Sequence, residues 1–229
     1  MRLQSRKGEP RAIRLDAPEP TRHGRRRQRT RGRLVEAARR VIGQRGVEVT
    51  TILDITQEAD VGFGTFYNYF DSKEAVLAAA TAEATQELGE ALDRLNEHLE
   101  DPAEILSVAV RHCVRMVNRD PIWGWFVVRT GLYQEQMAAV HGPRLAVDLQ
   151  RGVEARRFPE TDVRLLNHVI GGAVFGVLRA TLGGTLGPDT DAELAAAVLR
   201  LVGLPAREAR EVAWRPLPDI DVPARERRI

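Results

Sequence analysis

The chain is short of several things, and each shortage narrows what it can be. It has one cysteine, Cys113, in 229 residues. An intramolecular disulfide and a cysteine-based zinc finger are therefore excluded. Cysteine usage of this kind fits a reducing compartment, and a cytoplasmic location is expected. The histidines stand at 23, 98, 112, 141 and 168 with no ligand spacing. No metal site and no cofactor are expected. Long apolar runs are missing too. The longest, Val169 to Leu178, is ten residues, against roughly 18–20 for a bilayer span. The basic N-terminus is not followed by an apolar segment of the kind a secretory signal carries. A soluble protein with no membrane partner is expected. Sustained apolar–polar alternation is absent, which argues against strands. No nucleophile–base pair, phosphate loop or paired carboxylate stands out, so catalysis is not expected.

Lysine is nearly absent, with only Lys7 and Lys73, yet arginine is abundant. The net charge of +2 hides a strong asymmetry: residues 1–33 carry +9 and the remainder −7. A basic arm of this kind suits an anionic polymer; a solubilising tail is the plainer reading. Residues 1–28 hold Pro10, Pro18 and Pro20 and almost no periodic apolar pattern. This segment is expected to be disordered.

From Thr30 onward helical periodicity takes over. Leu34, Ala37, Ala38, Val41 and Ile42 share one helix face, and Gly46 supplies a stop. A short helix follows Thr50-Thr51, capped through Thr51-x-x-Asp54, with Ile52, Ile55 and Ala59 on its apolar face. Asp60-Val61-Gly62 breaks it, and a second short helix is expected from about Phe63 to Tyr69. Asp71 or Ser72 caps a long helix from Lys73 to about Leu99. Asp101-Pro102 and Asp120-Pro121 open two more. Gly142-Pro143 is read as separating a further helix that ends near Arg157. Residues 160–183 and 190–203 follow, then a short helix from Pro205 to Trp214 and a flexible tail. The expected class is all-α. The expected organisation is a disordered basic arm (1–28), a three-helix helix-turn-helix head (29–75), a helical ligand-binding and dimerisation domain (76–214) and a flexible tail (215–229).

Two short helices joined by a sharp turn and packed on a longer one read double-stranded DNA through the second helix. Phe66 and Phe70 lie four apart and can anchor that helix. Gly62, Phe63, Gly64, Thr65, Tyr67, Asn68 and Tyr69 are left for the groove. Asn68 can pair with adenine, and Thr65 can meet a phosphate or a thymine methyl. Tyr67 and Tyr69 can offer hydroxyls to phosphates, although Tyr67 reads equally well as a packing residue.

Residues 30–75, and above all TTILDITQEADVGFGTFYNYFDSKEAV at 50–76, resemble the DNA-binding head of the TetR family of bacterial transcriptional regulators. The resemblance implies DNA contacts from Thr50 or Thr51, the second short helix, Tyr67 and Lys73. Arg31 joins this set from the arginine-rich lead-in. The chain departs from the family pattern at Thr56, Asp60 and Gly62, where alanine, glycine and serine are usual. Asp60 tolerates the left-handed turn; Gly62 forfeits one phosphate contact.

The resemblance further implies a homodimer and a small-molecule effector. The expected product is a repressor released by a largely apolar ligand, acting on a near-palindromic operator. A non-specific architectural DNA binder is the alternative. The candidate ligand pocket is Cys113, Met116, Val117, Trp123, Phe126, Tyr133, Met137 and Phe175. The candidate dimer interface is Gly172, Gly176, Leu194, Val198 and Leu201. Glycine costs roughly 1 kcal/mol against alanine inside a helix, a cost that close helix approach can offset.

Overall fold

The computed structural model describes residues 22–131 and 135–220, and for 131 and 135–142 the backbone alone. Ten helices and no strand occur among the described residues. The head is α1 (Arg22–Arg45), α2 (Ile52–Glu58) and α3 (Phe63–Phe66). The larger part is α4 (Lys73–Asn96), α5 (Pro102–Arg119), α6 (Pro121–Gly131), α7 (Glu135–Glu154), α8 (Val163–Leu182), α9 (Thr190–Leu201) and α10 (Ala206–Ala213).

Local signals account for most boundaries. Gly46 ends α1 at φ +98, donating its N–H to the Ile42 carbonyl at 2.8 Å. Thr51 and Asp54 form a reciprocal capping box at the start of α2. Asp60 turns the chain into α3 at φ +50, the left-handed conformation that aspartate tolerates. Ser72 caps α4 by accepting from the Ala75 N–H, and Asp101 caps α5 by accepting from Ala103 with Pro102 behind it.

The core is one continuous cluster. In the head, Leu34, Ala38 and Ile42 of α1 meet Ile55 of α2 and Phe66 of α3, all buried. Helix α5 is the axis of the larger part and packs against α6, α7, α8, α9 and α10. Its buried positions include Leu106, Val110, Val114 and Val117. A buried ion pair ties it to α9, where Asp191 accepts from Arg111 at 3.2 Å and from Arg115 at 2.8 Å. Helix α8 is the exception to efficient burial. It is long and apolar enough to cross a membrane, yet among its residues only Ile170 and Leu178 are buried.

Four expectations need correcting. Helix α1 begins at Arg22, so residues 22–28 are helical; residues 1–21 lie outside the described residues. Arginine is a good helix former, and Arg27 pins the extension to the Asn68 carbonyl. Gly142-Pro143 does not end a helix, because Pro143 lies inside α7. Buried Leu149 further along α7 and that helix's packing on α4, α5 and α8 outweigh the missing backbone donor. Helix α3 is a single turn, ending at Phe66 rather than Tyr69. Residues 215–220 dock on α5 rather than hanging free, and 221–229 lie outside the described residues. Arg111 donates to the Arg215 carbonyl at 2.7 Å, His112 to the Pro218 carbonyl at 3.0 Å, and Arg215 pairs with Glu104 at 2.6 Å. Ile220 packs against the core.

Candidate nucleic-acid interface and effector cleft

The head sorts its polar residues into braces and exposed groups. Thr50 is buried, and its hydroxyl donates to the Gly46 carbonyl at 2.6 Å. Lys73 is half-buried, with two ammonium bonds, to the Val47 carbonyl at 3.0 Å and the Thr50 carbonyl at 3.1 Å. Arg31 pairs with Glu83 of α4 at 2.7 Å and lies 5.3 Å from the Phe70 ring centroid. These three positions, expected to touch DNA, join α1, the α1–α2 loop and α4 in this structure. The Thr50 hydroxyl proton and two of the three Lys73 N–H groups are committed within the protein, whereas Arg31 spends one N–H on Glu83 and stays partly exposed.

The other expected contacts lie together at the surface. Thr51, Gly62, Phe63, Gly64, Tyr67 and Asn68 are exposed, and Thr65 and Tyr69 are half-buried. Phe66 and Phe70 anchor this face from below, with ring centroids 5.8 Å apart. Phe63 and Tyr67 are half-exposed, at 49% and 50%, and meet edge to face at 5.7 Å. Tyr69 lies beneath the Arg27 guanidinium. Two exposed apolar residues, Val49 and Leu53, escaped the sequence reading. Their signal was available for Leu53, which falls out of phase with the buried face carried by Ile55 and Ala59.

The carboxyl of Asp54 is held below its usual range by hydrogen bonds from the Thr51 hydroxyl and backbone, assisted by Arg45. It therefore stays ionised at the positive end of α2.

The expected ligand pocket is packed. Met116, Val117, Trp123 and Phe126 are buried in the continuous core, and the Trp123 indole donates to the Ala84 carbonyl at 3.3 Å. Cys113 and Phe175 pack at the edge of that core. Burial pushes the Cys113 thiol up to about 11. Tyr133 lies outside the described residues, as does the side chain of Met137. These apolar residues share helix faces because they fill the interior, the commoner fate of such a stripe.

A cleft of about 610 Å³ opens elsewhere, between α4 and α7. Asp93, Asn96, Arg144, Val147, Asp148 and Arg151 line it. Arg144 grips Asp93 bidentately at 3.0–3.3 Å. Burial pushes the Asp148 carboxyl up to about 6, despite Arg151 nearby and with Asp93 adding to the rise. The Asn96 side-chain oxygen is buried without a partner. Such a cleft offers acceptors to a small molecule that brings hydrogen-bond donors.

The expected dimer residues divide as well. Leu194 and Val198 are buried within the chain, where α9 packs on α5 and α10. Gly172, Gly176 and Leu201 face outward. Nothing lies within 4 Å of where a Cβ would stand on either glycine. Leu165, Val169, Gly172 and Gly176 form an exposed stripe along α8.

A helix-turn-helix head on an all-helical second part defines a DNA-binding class of fold. The chain belongs to the tetR family of bacterial regulatory proteins, whose model matches residues 34–80. A tetracyclin repressor-like C-terminal domain matches residues 101–215. The structure of RolR in complex with the ligand resorcinol is similar at 39% identity and a TM-score of 0.71, covering 85% of this chain and 98% of that one. An uncharacterised HTH-type transcriptional regulator of Mycobacterium tuberculosis is 33% identical over 95 residues, 41% of this chain and 47% of its own length. BetI of Brucella anthropi, another HTH-type transcriptional regulator, is 31% identical over 97 residues, 42% of this chain and 50% of its own. The chain thus spans about half the length of the curated relatives it matches.

Proposed function

We propose that the chain is a sequence-specific transcriptional repressor, a homodimer whose hold on DNA is released by a small hydroxyl-bearing ligand. The observation that carries the reading is the face of α3 and its flanks. Phe63, Gly64, Tyr67 and Asn68 are exposed together while Phe66 and Phe70 anchor them. That is what a helix entering a major groove requires, with Asn68 positioned to read adenine. Two heads one helical turn apart, about 34–36 Å, would meet a near-palindromic operator.

The exposed α8 stripe supports pairing with a second copy. A contiguous apolar stripe with two unfilled glycines suits close packing of a symmetry-related helix. Equilibrium sedimentation without lipid tests this, with a dimer expected. A monomer that floats with lipid vesicles would instead assign α8 to a bilayer.

The cleft between α4 and α7 replaces the largely apolar ligand with a donor-rich one. Asp148 and the unpartnered Asn96 oxygen ask for hydroxyl groups, and Val147 gives one apolar wall. RolR's resorcinol is a small aromatic diol of that kind. Selection of duplexes from a random pool, followed by mobility shift, tests the DNA reading. Asn68→Ala should relax preference at one base pair and cost about 1–3 kcal/mol on the selected site. Failure to enrich any sequence would leave the architectural binder as the better account. Resorcinol and its methyl ethers then test the cleft by thermal shift, where occupancy at a hundredfold Kd adds about 2.7 kcal/mol.

A further inference from the structure

The turn around α3 carries no charge. Residues 61–70 include no arginine, lysine, aspartate or glutamate. Guanine is read chiefly by arginine or lysine and cytosine by a carboxylate, and this turn offers neither. Arg27 reaches it from α1, but donates to the Asn68 carbonyl at 3.4 Å and lies over the Tyr69 ring. Within the turn, two exposed side chains have a chemistry that singles out one base. The Asn68 amide suits adenine, and the Phe63 ring suits the C5-methyl group of thymine. Both report an A·T pair. The Phe63 ring is also held in place. Fully buried Phe66 meets Tyr67 edge to face at 5.5 Å, and Tyr67 meets Phe63 in the same way at 5.7 Å. Three rings thus run from the core to the surface, each fixing the tilt of the next. Glycines flank the outermost ring, and the fold demands neither of them. Gly62 has an ordinary φ of −65, and a Cβ there would meet only the Thr65 hydroxyl oxygen, at 3.6 Å. A Cβ on Gly64 would stand in open space. What two bare positions beside an exposed ring provide is close approach by another molecule.

From this arrangement we infer that Phe63 is a specificity-determining residue that reads a thymine methyl group, so that A·T pairs lie under α3 in each half-site. This rests on the DNA-binding reading and names the base pairs that the reading left open. A ring already fixed by its neighbours loses little freedom when it docks, and covering a methyl group removes apolar surface of both partners from water. Tyr67 is a positioning residue, because its ring joins Phe63 to the core.

The test uses the full chain and the duplexes it selects from a random pool. Each thymine of the selected site is replaced in turn by deoxyuridine, which removes one methyl group and leaves every hydrogen-bonding group of the pair intact. At one position in each half-site the affinity of the wild-type chain should fall about fourfold, the worth of one buried carbon. F63A should bind the thymine and uracil duplexes alike. Y67F should keep the wild-type ratio between them, whatever it loses on both, and Y67A should bring that ratio towards one. A uracil series without effect at any thymine overturns the inference and leaves sequence-specific binding standing; it needs no variant to fold. A selected site whose fixed pairs are all G·C does the same. If F63A unfolds at the wild-type temperature and keeps the wild-type ratio, another side chain reads the methyl and the inference also falls. An unchanged ratio in Y67A overturns the positioning role. Enrichment of no sequence at all overturns the sequence-specific reading, and the inference with it.

Discussion

Thr50 and Thr51 are neighbours of one residue type with opposite fates. Thr51 caps α2 from the surface, and Thr50 is buried with its hydroxyl on the Gly46 carbonyl. Thr51→Ala should cost about 1 kcal/mol, the worth of a lost N-cap, as measured by chemical denaturation. Asp191 sits deeper. Burial alone would raise its carboxyl, but hydrogen bonds from Arg115 and then Arg111 outweigh it and hold it below its usual range. A carboxylate with a depressed folded value adds stability above its unfolded value and loses it as pH falls. Asp191→Asn should therefore destabilise at neutral pH, because it leaves the buried Arg111 guanidinium without its carboxylate. Its penalty should shrink in acid. Asp148 has the opposite sign. Its raised value means the folded state binds the proton more tightly, so stability falls as pH rises from about 4 to about 6. Asp148→Asn should raise the midpoint of thermal unfolding at pH 7 and flatten that decline. The Thr51–Asp54 pair was legible in sequence because its partners lie three residues apart. The Asp191 pairing was not, because its partners lie on another helix.

At the scale of elements, α8 and α5 show how composition under-determines placement. Both are apolar helices of similar length, yet α5 is buried around much of its circumference and α8 keeps its stripe outside. The glycines at 172 and 176 make the stripe testable. If α8 stays unpaired, Gly172→Ala should add about 1 kcal/mol, the difference in helix propensity. If a second copy packs there, Gly172→Leu together with Gly176→Leu should shift sedimentation to a monomer. The segment after Trp214 teaches the same lesson in reverse. Its prolines read as tail, but Arg111, His112 and Glu104 provide partners that only the folded α5 presents. Burial chiefly holds the His112 imidazole below its usual value. A carbonyl can only accept, so its Nε2 carries the proton to Pro218.

Across the whole molecule, α4 is the element that touches both sites. Its first residue, Lys73, braces the α1–α2 loop, and Asp93 and Asn96 near its end line the cleft. An effector that shifts this helix would move the head as a unit with it. Lys73→Ala should weaken that link, so that the ligand reduces DNA affinity less than in the native chain. Comparing mobility-shift midpoints with and without ligand in the two proteins measures it, on the 1–3 kcal/mol scale usual for coupling between sites.

The sequence by itself determined the all-helical class, the caps of α2 and α5, the turn at Asp60 and the anchors Phe66 and Phe70; for α4 it left Asp71 and Ser72 open, and the structure chose Ser72. All are local: they rest on spacings of three and four residues and on the backbone preferences of single side chains. Tertiary structure alone decided that Thr50, Lys73 and Arg31 are braces, and that the apolar Met116, Trp123 and Phe126 fill the core. It also placed the polar cleft between α4 and α7. Helical periodicity says which residues share a side of a helix. What that side meets depends on contacts between residues tens of positions apart, which no local pattern encodes.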